Sequence, residues 1–458
     1  MFKVGLKRRG SILALVVICL VILLVIGAAL LTLGWDARIY SIRTAEDIEA
    51  RCAADTGLTK AIAVMNVNPG YYVNNPPQQQ LNFIPLQGSE PAATFRYEVN
   101  PLPLPLKYEF LIKSTGRCNY DEASGKYDAQ RTVWCRLRLR GLGETQFLSR
   151  YSLILKNDTI VDARDSRLPS DDPGQFTLTA QIATDSIVYE PQPPIILYNG
   201  VYVDGDVLVG YGGDPCDCIR DLGVEGPYDG KPHMGSLDEE PYLPPVTPPA
   251  LTDYQPAKLY KKGGGATDNW DPLIITAADS GVYSMIDLQT QAVRTGQPGE
   301  GEPAILIVAS GDVVLHLTNT GNKDSISLGT GCEIRIMEGA TLNLWVDGDI
   351  SSGTGSGFNN LGTPPDLKLW GLAHDPLSET PLQNWKLNAK NEYFGQVYAP
   401  EASVQVNNQS KSGELWGAFT TYDFTMMNSG KLYYDAALSD VNPNDPGVQF
   451  VLNRWGEE

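Results

Sequence analysis

Residues 339–350 read GATLNLWVDGDI, and this phrase sets the theme for most of the chain. Leu342, Leu344 and Val346 alternate with other residues, as a strand with one buried face requires, and a Gly-Asp turn follows. The theme recurs at 202–210 (YVDGDVLVG), 305–315 (ILIVASGDVVL) and 332–336 (CEIRI). Further on, Val404 and Val406, Leu415, Phe424 and Met426, and Leu432 and Tyr434 return every eight to eleven residues. Short strands at that spacing fit the rungs of a β-solenoid, in which one face of each strand stacks inward. A β-sandwich is the competing fold; the recurrent Gly-Asp turns, without Asn-Gly hairpins between long partners, favour the solenoid. The expected fold is therefore mainly β, with a β-solenoid over 166–440. Segments 214–252 and 361–391 read as excursions from it, and 241–249 (PYLPPVTPP) must be extended.

Composition limits the function. The chain has 458 residues, 42% of them hydrophobic, so a large core and more than one module are expected. With 54 Asp and Glu against 35 Lys and Arg, the net charge of -19 excludes nucleic acid as the main partner. The 45 Gly and 32 Pro imply many turns. Only His233, His316 and His374 could serve a histidine-based centre, which disfavours an enzyme.

Lys3, Lys7, Arg8 and Arg9 precede an uncharged run, 11–33 (SILALVVICLVILLVIGAALLTL). Its 23 residues reach about 34 Å as a helix, enough to cross a hydrocarbon core of about 30 Å. The basic leader places the N-terminus in the cytoplasm and the bulk outside, a single-pass arrangement in the cytoplasmic membrane. A secretory signal peptide is the alternative, but the run is long for one and lacks a clean small-x-small cleavage site. Beyond it, Ile39, Ile42, Ala45, Ile48 and Cys52 fall on one helical face, and Leu58, Ile62 and Met65 resume the spacing. The expected helix, including the span, covers 11–70 and ends at Pro69 and Gly70.

The junction Lys7-Arg8-Arg9-Gly10-Ser11, the apolar run and the later stretch 52–58 (CAADTGL) resemble the N-terminus of PilX-type minor pilins and pilus-assembly proteins. The run 393–406 (YFGQVYAPEASVQV), then 413–419 (GELWGAF) and 431–438 (KLYYDAAL), looks like the ending of solenoid domains joined to such N-termini. The resemblance implies cleavage by a prepilin peptidase between Gly10 and Ser11, so that 1–10 is a leader. It also implies partners among pilin-like subunits, and a place in a type IV pilus or a type II secretion-like assembly, at the membrane, the pilus or the cell surface. Leu15 departs from the family, which commonly carries Glu at the fifth mature position to neutralise a neighbour's amino terminus in an apolar core. Such a subunit fits a filament tip, or stays in the membrane without polymerising.

Between helix and solenoid, 71–165 alternates strand-like runs with Pro and Gly breaks and reads as a small β-sheet covering the emerging helix. Cys118 and Cys135 flank the loop 119–130 and are candidates for a disulfide, with two free buried thiols as the alternative. Residues 441–458 read as a C-terminal tail. No metal site and no cofactor is expected: Cys216, Cys218 and His233 lack a second ligand pair, and no calcium loop of the EF-hand type occurs. The acidic candidates for polysaccharide chemistry are Asp204 with Asp206, Asp347 with Asp349, and Asp312 with His316. Each Gly-Asp pair reads more simply as a turn. Trp270, Trp345, Trp370, Trp385 and Trp416 could fill a core or stack on a surface glycan or protein ligand. The expected function is a noncatalytic, membrane-anchored minor pilin-like protein; the alternative is a membrane-anchored β-helix adhesin or polysaccharide-active enzyme.

Overall fold

A computed structural model describes residues 11–458 except 77–79, 87–92, 104–107, 120–125, 143–145, 170–171, 173, 175–176, 189–191, 256, 262–271, 291–302, 320–323, 376–377, 391–392, 409–413, 428–429 and 441. The fold is mainly β with one long apolar N-terminal helix. Two compact units divide it: Met1–Arg140 together with Gln449–Glu458, and Gly141–Val448.

In the first unit, helix α1 (Ser11–Val67) runs unbroken for 57 residues, about 86 Å at 1.5 Å per residue. Its apolar first half is uncovered, with Leu24 73% exposed. The second half buries Ala50, Ala53, Ala54, Leu58, Ala61 and Met65 on an antiparallel sheet. The strands lie in the order Gln80–Pro85, Thr94–Pro101, Glu109–Cys118, Ala129–Arg140 and Gln449–Glu457. Close approach explains the small side chains. A Cβ on Gly116 would stand 2.0 Å from the Ala50 carbonyl oxygen and 2.4 Å from the Ala54 nitrogen. The isoleucine stripe expected to be covered instead faces away, with Ile42, Ile48 and Cys52 exposed, because the sheet packs on the face that carries Ala50, Ala53, Ala54 and Ala61.

The expected C-terminal tail is an integral strand. Gln449–Glu457 pairs antiparallel with Ala129–Arg140, Gln449 opposite Arg140. Asn66 clamps it from the helix: Nδ2 donates to the Phe450 carbonyl at 3.1 Å and Oδ1 accepts from the Phe450 N–H at 2.6 Å. The Phe450 ring meets Phe110 edge-on at 5.3 Å.

In the second unit the named strands pair in parallel and stack into three ladders. The first runs, neighbour to neighbour, through His233–Ser236, Gly205–Val209, Ala180–Thr184, 147–149, 419–421, 396–398, Leu367–Gly371, Ala340–Val346, 311–317, Gly281–Tyr283 and a bridge at Asp253. The second holds Ile219–Asp221, Ile195–Leu197, 153–155, 423–426, 403–407, Gln383–Ala389, Asp349–Ser352, Asp324–Leu328, Ile286–Leu288 and Leu259–Lys261. The third includes Ile160–Arg164, Lys431–Asp435, 414–416, Gly357–Asn360, Glu333–Ile336, 305–308 and Leu273–Thr276. Inward residues of all three fill one core, in which Phe147, Phe358, Phe394, Phe419 and Phe424 form a contiguous aromatic cluster.

The stacking order differs from the chain order. Phe147–Leu155 and Ile160–Arg164, expected with the small sheet, pair with Glu414–Met427 and Lys431–Asp435. Residues 147–236 thus stack upon the far end of 253–435. A noncovalent seam joins the two halves, and the 16 residues 237–252 must return along the stack. The return crosses ten ladder steps, about 48 Å at about 4.8 Å each. Sixteen residues of polyproline conformation reach about 50 Å at about 3.1 Å each. The strap is close to its working length, and it forms neither helix nor strand.

Asp435 binds the seam together. Its side chain, on a residue with no exposed surface, accepts from the Ser166 N–H at 2.9 Å, the Ser166 hydroxyl at 2.6 Å and the Ala437 N–H at 3.1 Å. Burial holds its pKa above the ordinary carboxyl value against those hydrogen bonds. A folded-state pKa above the unfolded one means that the folded chain binds the proton more tightly, so this group's contribution to stability falls as pH rises through that window. Asp435→Asn should therefore gain stability relative to the parent as pH is raised from about 4 to 7, read from paired urea titrations. Asp435→Ala should cost about 3 kcal/mol near pH 4 and less as pH rises, because three donors lose their acceptor.

Candidate functional site

Gly10 lies outside the described residues, and Ser11 is the first residue of α1. The helix is long and apolar enough to cross a membrane, and its apolar window is uncovered.

The cysteine pair does not come together. On adjacent strands Cys118 lies opposite Ala129 while Cys135 lies opposite Ile112. Six ladder positions, about 20 Å, separate the two. Both are free and buried, and burial pushes each thiol up to about 12. Cys118 donates to Glu49 Oε2 at 3.0 Å. The expected disulfide is corrected to two protonated core thiols, because the register separates residues that the intervening loop made look adjacent. Cys216 is exposed and Cys218 buried. Among the described residues, no three His, Cys, Asp or Glu side chains are placed to hold a metal ion.

The acidic candidates sit on outward strand positions more than in turns. Asp206 meets His233 at 3.2 Å on the neighbouring strand. His316 lies 3.3 Å from Asp347, not against Asp312, which accepts from the Thr341 hydroxyl at 2.9 Å. Asp349 accepts from the Asn384 N–H at 2.7 Å. A stronger charged pair went unread: Arg150 Nη1 bridges both Glu401 oxygens at 2.7 Å, although burial still raises the pKa of Glu401.

The outer face of the first ladder carries two features side by side. One is an aromatic row. His316, Trp345, Trp370 and Tyr398 occupy the same position on consecutive strands. Trp345 stacks on Trp370 at 5.6 Å, and Tyr398 follows at 6.2 Å. An outward row of this kind would expose several large rings, but the strap covers it. Val246 and Leu243 pack on Trp345, Trp370 and Tyr398, and the Tyr398 hydroxyl donates to the Pro244 carbonyl at 2.7 Å. Trp370 is 1% exposed and Trp345 4%, yet among the described residues neither indole N–H has an acceptor. Trp385 is different in kind: it fills the inner core and donates to the Gly348 carbonyl at 3.1 Å. Trp270 lies outside the described residues.

Beside the row, a polar groove of about 510 Å³ runs between Asp312, Thr341, Asn343 and Lys368 of the ladder and Asp440 and Asp445 of the segment after the last rung. Its cations are engaged. Lys368 pairs with Asp445 at 2.5 Å, and Arg167 bridges Asp165 at 2.7 Å and Asp440 at 2.6 Å. The arrangement offers hydroxyl, amide and carboxylate groups to a polar ligand.

Residues 308–441 match the model of a family described as a domain of unknown function, DUF7305. No curated protein and no solved structure matches the chain. The matched stretch begins inside Ile305–Leu317 and ends just past the short turn Ala436–Ser439. It includes the aromatic row and the ladder side of the groove, and leaves out the strap and the 147–236 half of the stack.

Proposed function

We propose that the chain is a noncatalytic, membrane-anchored minor pilin-like protein of the PilX type, serving a type IV pilus or a type II secretion-like assembly. In this reading the 141–448 unit is a β-solenoid held outside the cytoplasmic membrane, and three parallel ladders sharing one core support it. The observation that carries the reading is α1 itself. One continuous helix running to Val67 leaves its apolar half uncovered and seats its other half on an antiparallel sheet. A helix so divided can pass from lipid into a folded domain without a hinge. Partners would be the prepilin peptidase, other pilin-like subunits and the membrane.

N-terminal sequencing of the protein after co-expression with a prepilin peptidase tests this. The mature chain should start at Ser11, and Gly10→Lys should leave it unprocessed. An intact Met1, or cleavage near residue 35, would overturn the reading.

The polar groove favours a second reading, an adhesin or polysaccharide-active protein with the same anchor. Release of reducing ends from a neutral polysaccharide, lost in a variant carrying Asp312→Asn and Asp366→Asn at two carboxylates that line the groove, would establish its polysaccharide-active form.

A further inference from the structure

We propose that the aromatic row Trp345, Trp370 and Tyr398 is a recognition surface for extended proline-rich segments, and that the strap is its resident, displaceable occupant. The inference is independent of the pilin reading. Three observations meet here. First, the strap over the row is PYLPPVTPP (241–249), in which five of nine residues are proline. Such a segment holds the polyproline conformation before it binds, so little order is lost on docking. Second, the seat has the chemistry of that mode of binding: flat aromatic rings on successive strands, aliphatic side chains Leu243 and Val246 against them, and one hydroxyl donating to a proline carbonyl. Third, the seat is incompletely used. Among the described residues the buried indole N–H groups of Trp345 and Trp370 have no acceptor, though a polyproline strand carries a carbonyl at every residue.

The strap has room to lift at its middle, since 16 residues drawn out to about 3.5 Å each reach about 56 Å against the span of about 48 Å. Its five prolines have no N–H with which to join a ladder. It is tied by backbone hydrogen bonds at its ends, where the Leu237 N–H donates to the Val209 carbonyl and the Thr252 carbonyl accepts from Val282. A segment held at two ends over an aromatic floor competes with an incoming strand at an effective concentration of about millimolar. The occupant in trans is therefore a proline-rich segment resembling 241–249, supplied by another chain.

The full-length protein in detergent is titrated with a synthetic peptide of sequence 241–249, read by tryptophan fluorescence. A variant with 241–249 replaced by Gly and Ser at equal length should bind the peptide at least ten-fold more tightly than the parent. Tyr398→Phe in that background should weaken binding about five-fold. As a second measurement on the unaltered strap, millimolar peptide should speed proteolytic cleavage within 237–252 several-fold. The proposal is overturned if the folded Gly-Ser variant does not bind the peptide, or if maltohexaose quenches the fluorescence and the peptide does not. Unchanged cleavage of the parent strap at saturating peptide would overturn its displaceable character.

Discussion

Deleting four residues from 237–252 should abolish the closed monomeric stack. The strap must span about 48 Å, and twelve residues drawn out to about 3.5 Å each reach about 42 Å. The 253–435 half would then be unable to meet the 147–236 half of its own chain, and Phe419 would lose Phe147. Unfolding, or pairing with the complementary half of a second copy, are the outcomes left. Light scattering on the detergent-solubilised protein, with far-ultraviolet circular dichroism, should show loss of the folded monomer. Four added Gly-Ser residues should instead cost under about 1 kcal/mol, since loop entropy grows only with the logarithm of length. A shortened chain that remained monomeric with the parent's thermal midpoint would contradict the ladder order.

Gly116→Val should detach the emerging half of α1 from its sheet, at a cost above about 3 kcal/mol. The new Cβ would lie 2.0 Å from one helix backbone atom and 2.4 Å from another, neither of which a rotamer can move. Gly34→Ala is the control. Its Cβ meets nothing within 4 Å, and alanine favours the helix. It should be neutral or gain up to about 1 kcal/mol. Amide exchange of Ala53, Ala54 and Ile112 should accelerate in the first variant and barely change in the second.

The apolar run of 11–33 and the alternation in 339–346 were legible because each is a local pattern, an uncharged helix long enough to cross a membrane in one case and a half-buried face in the other. The alternation identified inward positions such as Leu342 and Leu344, both without exposed surface. What could not be read is which strand lies beside which. Phe147 and Phe419 are 272 positions apart, and a parallel ladder asks only that apolar residues face inward, so any rung could follow any other. Proline in 241–249 marked an extended segment, yet nothing local said what it would lie on. Asp312 and His316 looked like a pair because they are near in sequence, whereas in a ladder the neighbour is the next strand, and His316 meets Asp347. Gln449–Glu457 did carry a signal: Phe450, Val451, Leu452 and Trp455 are too apolar for a tail. The alanine seat of α1 was hidden for the opposite reason, because hydrophobic spacing favours isoleucine and close backbone approach favours alanine.

Arg140 and Gln449 face each other across adjacent strands, so the 308-residue unit Gly141–Val448 leaves and re-enters the sheet at neighbouring points about 5 Å apart. It is thus a cassette. A body spliced between those two residues, with its own ends close together, would meet the strand pair at the same two points. Evolution, or an engineer, could exchange the ladder unit as a whole through this one junction, keeping the helix and its sheet.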